Sequence, residues 1–293
     1  MNRKSTRSCR TRGFTLVEVL VVVAIISILI SLLLPAVQGA RESARKMQCR
    51  NNLANLGLAI QNYHGAHRTL PPGTVDFSGP IVSSQNQGYR MSWIAQTLPY
   101  FDEGNVYRKI DFSKSAFDPV HKLVASHKIP ILACPSSSRG ALSYYAGVHH
   151  DVEAPIDVDN HGVLFLNSRI RLPEDVPDGL AYTMLAGEME GSASWLVGDK
   201  QTLRNTGTTP VNSSKLRLTE YADPATGEVA PEQPADPAAP PARNLVGSFS
   251  SAHSSGANFA FCDGAVKFLS EQIDGDLFRR LGHRDDGSLV GAF

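Results

Sequence analysis

Strong charge of either sign is missing from this 293-residue chain, in which 28 basic residues face 28 acidic ones. Holding nucleic acid by phosphate neutralisation needs a basic excess, so nucleic acid is not an expected partner. Cysteine is scarce too, with Cys9, Cys49, Cys134 and Cys262 making four in all, and no pair has the two-residue spacing of a zinc ribbon or a thioredoxin-like motif. The serines at 136–138, 213–214 and 250–255 sit in no G-x-S-x-G elbow, and Gly187, Gly191 and Gly198 are too sparse for a phosphate-binding loop. These absences leave no constellation for nucleophilic or phosphoryl-transfer chemistry. The expectation is a protein that is not an enzyme.

What the sequence does have is one long apolar run. Residues 14–34 make a 21-residue stretch that as a helix reaches roughly 31 Å, the thickness of a bilayer's hydrocarbon core. Arg3, Lys4, Arg7, Arg10 and Arg12 precede it with no acidic residue, so the N-terminus is expected to stay cytoplasmic. Glu18 is out of place in such a run, because an acidic group at membrane depth costs roughly 2.5–3.5 kcal/mol on insertion scales. It needs a partner. Beyond Pro35 the apolar spacing continues through Val37, Ala40, Ala44, Met47, Leu53, Leu56, Ile60 and Tyr63, which predicts a stem helix loosened at the proline but not ended by it. It is expected to stop before Pro71-Pro72-Gly73, with Gly65 as an earlier possible cap.

The basic leader, Gly13, Phe14 and a glutamate at the fifth position from Phe14 together resemble the processing site of type IV prepilins and type II secretion pseudopilins. The resemblance implies a prepilin peptidase that cuts between Gly13 and Phe14 and methylates the new amine of Phe14. It also implies a neighbouring subunit whose freed amine neutralises Glu18, and Pro35 falls where pilin stems commonly carry a proline. Residues 47–53, 62–64 and 70–73, with the C-terminal pattern of His253, nine residues, then Asp263-Gly264, resemble a family of exported prepilin-like proteins of unknown function, the DUF1559 type. Implied partners are the peptidase, other pilin or pseudopilin subunits, an inner-membrane assembly platform and membrane lipid. The implied location is the inner membrane, crossed once, with a periplasmic head that enters a filament. Removing a leader with five of the 28 basic residues would leave 23 against 28 acidic.

The expected architecture is α+β: a basic leader (1–13), a transmembrane and stem helix (14–66), and an exported head (67–293) whose mainly antiparallel sheet packs on the stem. Short helical pieces are predicted around 93–100, 105–107 and 121–127. Strands are predicted at 142–145, 162–166, 182–186 and 195–197, where β-branched and aromatic residues lie between turn formers. Residues 223–243 hold six prolines and read as an exposed insertion loop. Residues 253–269 carry a hairpin around Asp263-Gly264, expected as a two-residue type I′ turn that pairs Phe261 with Val266 and Phe259 with Phe268, all four on one core face. A closing helix follows at 274–281.

Three further expectations concern chemistry. His253 and Asp263 cannot share an ion, because the extended strand between them holds the turn carboxylate roughly 16 Å away; the role of Asp263 and Gly264 is the turn, and that of His253 is hydrogen bonding. Asp157 and Asp159, with Asn160 and Asp151, are candidate calcium ligands, as in some pseudopilin heads, but they lack a spaced DxDxDG pattern, so a solvated turn is favoured and no cofactor is expected. In an exported, oxidising setting Cys49 and Cys134 are expected to be joined, leaving Cys262 on the strand face opposite the phenylalanines as the odd thiol. The favoured function is a structural pseudopilin or minor pilin. The alternative is a membrane-tethered module that binds polysaccharide or secreted cargo through surface aromatics such as Trp93, Tyr144 and Trp195.

Overall fold

The computed structural model describes residues 15–81, 86–137, 140–212 and 246–288. The leader with Gly13 and Phe14, and the proline-rich segment at 223–243, lie outside them. The chain divides into two compact units, residues 1–44 and 45–293. Helix α1 (Leu16–His67) supplies the described part of the first unit and the opening of the second, and it continues through Pro35. Pro35 offers no N–H to the helical ladder, yet the apolar run on either side keeps the backbone helical. The first-unit stretch is long and apolar enough to cross a membrane, and none of that apolar window is buried.

From Arg45 onward α1 is amphipathic, burying Cys49, Leu53, Leu56, Ala59 and Ile60 at the spacing of one helix face. The helix runs past Gly65, the earlier possible cap, and stops before Pro71-Pro72-Gly73 as expected. It ends where Arg68 takes a left-handed φ of 63° and donates its N–H to the His64 carbonyl, so a non-glycine residue fills the usual role of glycine.

The rest of the second unit begins with β1 (Thr74–Val75) and β2 (Met91–Ser92), an antiparallel pair. Short helices α2 (Trp93–Thr97), α3 (Gly104–Tyr107) and α4 (Lys122–Ala125) follow where aromatic and apolar residues were expected to coil. Ser92 caps α2 by accepting from the Ala95 N–H. The main sheet takes β3 (Ser143–His150), β4 (Met184–Ser192), β5 (Leu203–Asn205), β8 (Gly256–Phe261) and β9 (Val266–Ser270) in the order β5-β3-β4-β8-β9. It is mixed, since β5 runs parallel to β3 while the other pairs are antiparallel. Strands β6 (Val211–Asn212) and β7 (Ser250–Ser251) form a small parallel pair. Helix α5 (Gly275–Gly282) closes the fold, capped by the Asp274 side chain on the Leu277 N–H.

Two core layers flank the main sheet. One holds the stem residues Leu53, Leu56 and Ile60 with Tyr145, Leu185, Ala260 and Cys262. The other holds Phe249, Phe259, Phe261, Phe278 and Leu281. Alternation along β8 feeds both, with Phe259 and Phe261 on one side and Ala260 on the other. Gly187 of β4 pairs with Phe259, and a Cβ there would lie 2.5 Å from the phenyl ring; the glycine leaves room for the ring.

Two expected strands are not strands. Residues 162–166 cross the end of β3, with the Val163 and Leu164 N–H groups both donating to the single carbonyl of Val148. Residues 195–197 contribute only an isolated bridge, between Met91 and Val197. The hairpin exists, but its register is one residue away from the expected one. Phe259 pairs with Lys267, Asn258 with Phe268 and Ala260 with Val266. The loop has three residues, 262–264: Gly264 donates to the Phe261 carbonyl at 2.9 Å and adopts a φ of 90°, and Phe261 donates to Ala265. A one-residue slip moves a strand's side chains to the other face, so Val266 joins the stem-side layer and Phe268 is 45% exposed, near Lys46.

That register makes a measurable distinction. Phe259→Ala should cost about 3–5 kcal/mol in denaturant unfolding, whereas Phe268→Ser should stay below about 1 kcal/mol. Equal losses at the two positions would restore the two-residue turn.

Candidate functional site

Four residues distant in sequence converge beneath the stem. The Cys49 thiol of α1 donates to Cys134 Sγ at 3.3 Å, and Cys134 Sγ lies 3.9 Å from His253 Nε2. His253 Nε2 is in turn 3.8 Å from Glu188 Oε1 of β4. Cys49 and His253 are fully buried and Glu188 nearly so. Local contacts hold the pieces in place. Tyr145 donates to the Cys49 carbonyl, Asn52 to the Ala133 carbonyl and Arg45 Nε to Ser136 Oγ. The Glu188 carboxylate accepts from the Ser251 hydroxyl, the Asn258 N–H and the Asn258 side-chain amide, each at 2.9 Å.

The electrostatics follow from this packing. Hydrogen bonding from Cys49 and from His253, against the opposing effect of burial, lowers the Cys134 thiol to about 5. Cys49, the donor, is pushed up by that hydrogen bond and by burial. Burial raises Glu188 despite its three hydrogen-bond donors. A nucleophilic or metal-binding sulfur at Cys134 is what such surroundings favour. A cleft of about 180 Å³ is lined by Lys128, Ala133, Cys134 and Tyr144 among others.

Of the expected site residues, Cys49, Cys134 and His253 are therefore brought together. The two sulfurs touch as free thiols, at a separation beyond the roughly 2.05 Å of a disulfide bond. Cys262 is buried apart from them in the stem-side layer, its carbonyl accepting from Gln61. Asp263 works in the turn, where its carboxylate accepts from the Ala265 N–H at 2.8 Å. Glu188 was not singled out from the sequence. Its signal is an acid two positions from Ala186, whose side chain lies in the layer that meets the stem, in a strand that also carries Glu190 and Ser192.

Near the start of α1, Glu18 has a partner within the chain. Its carboxylate accepts from the Thr15 N–H and hydroxyl at 2.8 Å each, and the Glu18 N–H returns a bond to Thr15 Oγ1 at 3.3 Å. This is a capping box, readable as Thr-x-x-Glu at the head of an apolar run.

The aromatics expected on the surface are inside. Trp93 and Trp195 are fully buried and Tyr144 nearly so, because their polar ends find acceptors or donors in the fold: the Trp93 indole donates to the Thr202 carbonyl, that of Trp195 to the His127 carbonyl, and Tyr144 oxygen accepts from the Ala141 N–H. They cannot form a binding platform. A different aromatic set, Tyr63, His67, Tyr89, Tyr100, Tyr107 and Phe112, lines a cleft of about 260 Å³, with Tyr63 stacked on His67 at 4.2 Å.

In the acidic loop, Asn160 is buried and committed, accepting from the Asp157 N–H and meeting His149 Nδ1 at 3.0 Å. Asp157 accepts from the Val158 N–H, Asp159 is exposed, and Asp151 turns toward His150 and His161. Burial opposes ionisation of Asp151, but hydrogen bonds from His150 and His161 outweigh it and hold the carboxyl below its usual range. Burial pushes the neighbouring His149 down to about 3, against its bond to Asn160.

His149 gives the head an acid sensitivity of definite sign. The unfolded chain protonates this histidine below about pH 6.5 while the folded chain resists until far lower, so stability is full above that value and falls as pH drops toward 3. One proton gives a slope of up to about 1.4 kcal/mol per pH unit. Denaturant midpoints measured from about pH 7.5 to 5, above the carboxylate range, should decline, and His149→Gln should flatten the decline.

Comparison with known proteins finds two matching stretches. The prokaryotic N-terminal methylation motif matches residues 9–34, which implies processing by a prepilin peptidase, assembly with other pilin subunits and, with the long apolar helix, a membrane-anchored exported protein. Neither a curated protein nor a solved structure matches the chain. Residues 38–276, most of the chain, match the model described as protein of unknown function (DUF1559), and the chain belongs to that family.

Proposed function

We propose that this protein is a structural, non-catalytic subunit of a type II secretion or type IV pilus-like filament, a pseudopilin or minor pilin anchored by its first helix. The match of residues 9–34 to the methylation motif carries the reading. Support comes from α1, whose first-unit surface shows Leu20, Ile25, Leu29 and Leu33 each about half exposed or more. Such a surface needs lipid or neighbouring helices around it. The subunit would cross the inner membrane once, hold its head in the periplasm and pass from membrane lipid to an assembly platform.

In this reading Glu18 has two successive partners. Before assembly the capping box with Thr15 satisfies the carboxylate; in a filament the methylated Phe14 amine of a neighbour supplies the missing positive charge. A binding module remains the second reading, favoured by the aromatic cleft around Tyr63, Tyr100 and Phe112, whose ring faces suit sugar rings better than the buried tryptophans do.

Intact-mass analysis of protein from native membranes should find a chain that begins at N-methylated Phe14, and an uncut Met1 chain would remove the main support. Glu18→Ala should still insert, but its share of sheared filaments formed beside the parent protein should fall at least tenfold. Normal incorporation would mean that the carboxylate does not pair with a neighbour.

A further inference from the structure

Beyond any filament role, we infer that Cys49, Cys134, His253 and Glu188 form a tetrahedral site for a divalent zinc-like cation. The first three residues offer ligand atoms that all lie within 4.8 Å of one another. Glu188 Oε1 lies 3.8 Å from His253 Nε2 but outside that three-residue group, and it would turn from Asn258 toward the sulfurs to become the fourth ligand.

The spacings suit a metal. Zinc bonds of about 2.3 Å to sulfur and about 2.0–2.1 Å to nitrogen or oxygen, in tetrahedral geometry, separate ligand atoms by about 3.8 Å for two sulfurs, 3.6 Å for sulfur and nitrogen, and 3.4 Å for nitrogen and oxygen. The corresponding separations here are 3.3, 3.9 and 3.8 Å. Each of these three is within about half an ångström of its target, so small shifts suit Cys49, Cys134 and His253 to the ion, while Glu188, outside the three-residue group, closes the shell by a larger turn of its side chain.

The donor set also selects the ion. Two thiolates and an imidazole favour zinc over calcium or magnesium, and a carboxylate oxygen is an ordinary fourth ligand of zinc. A disulfide between the cysteines would use neither the buried histidine nor the buried acid, whereas a cation uses all four groups. Desolvating Glu188 is costly on its own, and a bound cation offsets that cost. Binding would release the thiol protons to solvent, leaving two thiolates on the ion. Arg45, bonded to Ser136, and Lys46, bonded to the Ser254 carbonyl, bring positive charge to the neighbouring loops. The remaining Glu188 oxygen is already held by Ser251 and Asn258, the outer support that ligating carboxylates use. The cleft at Cys134 provides an entry path.

The test uses the full chain, purified in detergent with a reductant, stripped of metal and given cobalt(II) alone. One equivalent should bind, with the intense visible bands of tetrahedral cobalt and a near-ultraviolet thiolate charge-transfer band, both displaced by zinc. Cys134→Ser and His253→Gln should diminish both bands, Glu188→Gln should weaken affinity on the order of 10- to 100-fold, and Cys262→Ala should leave the spectrum intact. If a ligand variant fails to fold, the parent chain decides: zinc should slow alkylation of Cys49 and Cys134 at least tenfold. Absent charge transfer, a spectrum unchanged in Cys134→Ser, or no zinc protection would overturn the site. So would a Cys49–Cys134 disulfide in protein acid-quenched directly from native membranes.

Discussion

The head depends on one seam, the face of α1 that carries Cys49, Leu53, Leu56 and Ile60. Burying each of the three aliphatic side chains is worth about 1.5–3 kcal/mol, and together they form the floor on which Tyr145, Leu185 and Ala260 of the sheet pack. The sheet needs that floor because its other side is already filled by the phenylalanine layer and α5. Without the stem, the strands would expose a large apolar surface. The helix in turn needs the sheet, since isolated helices draw most of their stability in proteins from a packed face. Neither part is therefore an accessory to the other.

Placing polar groups in that seam is expensive, and the molecule handles the cost with fixed partners. Glu188 meets three hydrogen-bond donors, and His253 shares its buried position with the carboxylate and Cys134. Near the end of β3, His149 stays neutral through burial and bonds to Asn160. The two arrangements answer acid differently. The histidine loses stability as protons become available, while a raised Glu188 takes up a proton more readily in the folded chain and so moves stability the other way.

Elements with a local cause were legible in the sequence. The apolar run and its three-and-four spacing predicted α1, Asp274 marked the start of α5, and Asp263-Gly264 marked a hairpin. The register was not legible, because Asp-Gly suits both a two-residue loop and the three-residue loop actually present, and the difference lies in which face of β9 is buried, with Val266 beside Ala260 in the stem-side layer. Strand propensity at 162–166 yielded to irregular bonding, with Val163 and Leu164 sharing the Val148 carbonyl and Leu166 making only an isolated bridge to Thr74. The two tryptophans looked like surface anchors because nothing local reveals that their indoles find carbonyls 109 and 68 residues away. The pairing in space of Cys49 with Cys134 could be argued from composition and order, but the approach of Glu188 and His253 is a purely tertiary fact.

Position in the fold argues that this cluster serves structure before chemistry. Its members come from the stem, the loop before β3, strand β4 and the loop before β8, with 85 residues between the two cysteines and 119 between Cys134 and His253. Any bond or ion linking them closes long loops in the unfolded chain, where the entropic gain from a crosslink is largest. The same groups are mostly out of reach of a bulky substrate, since Cys49 and His253 are fully covered and only the half-buried Cys134 faces a cleft. A reaction centre needs its reacting atoms accessible, whereas a clamp needs its ligands held by packing from several directions, and the surroundings of Glu188 and His253 meet the second requirement.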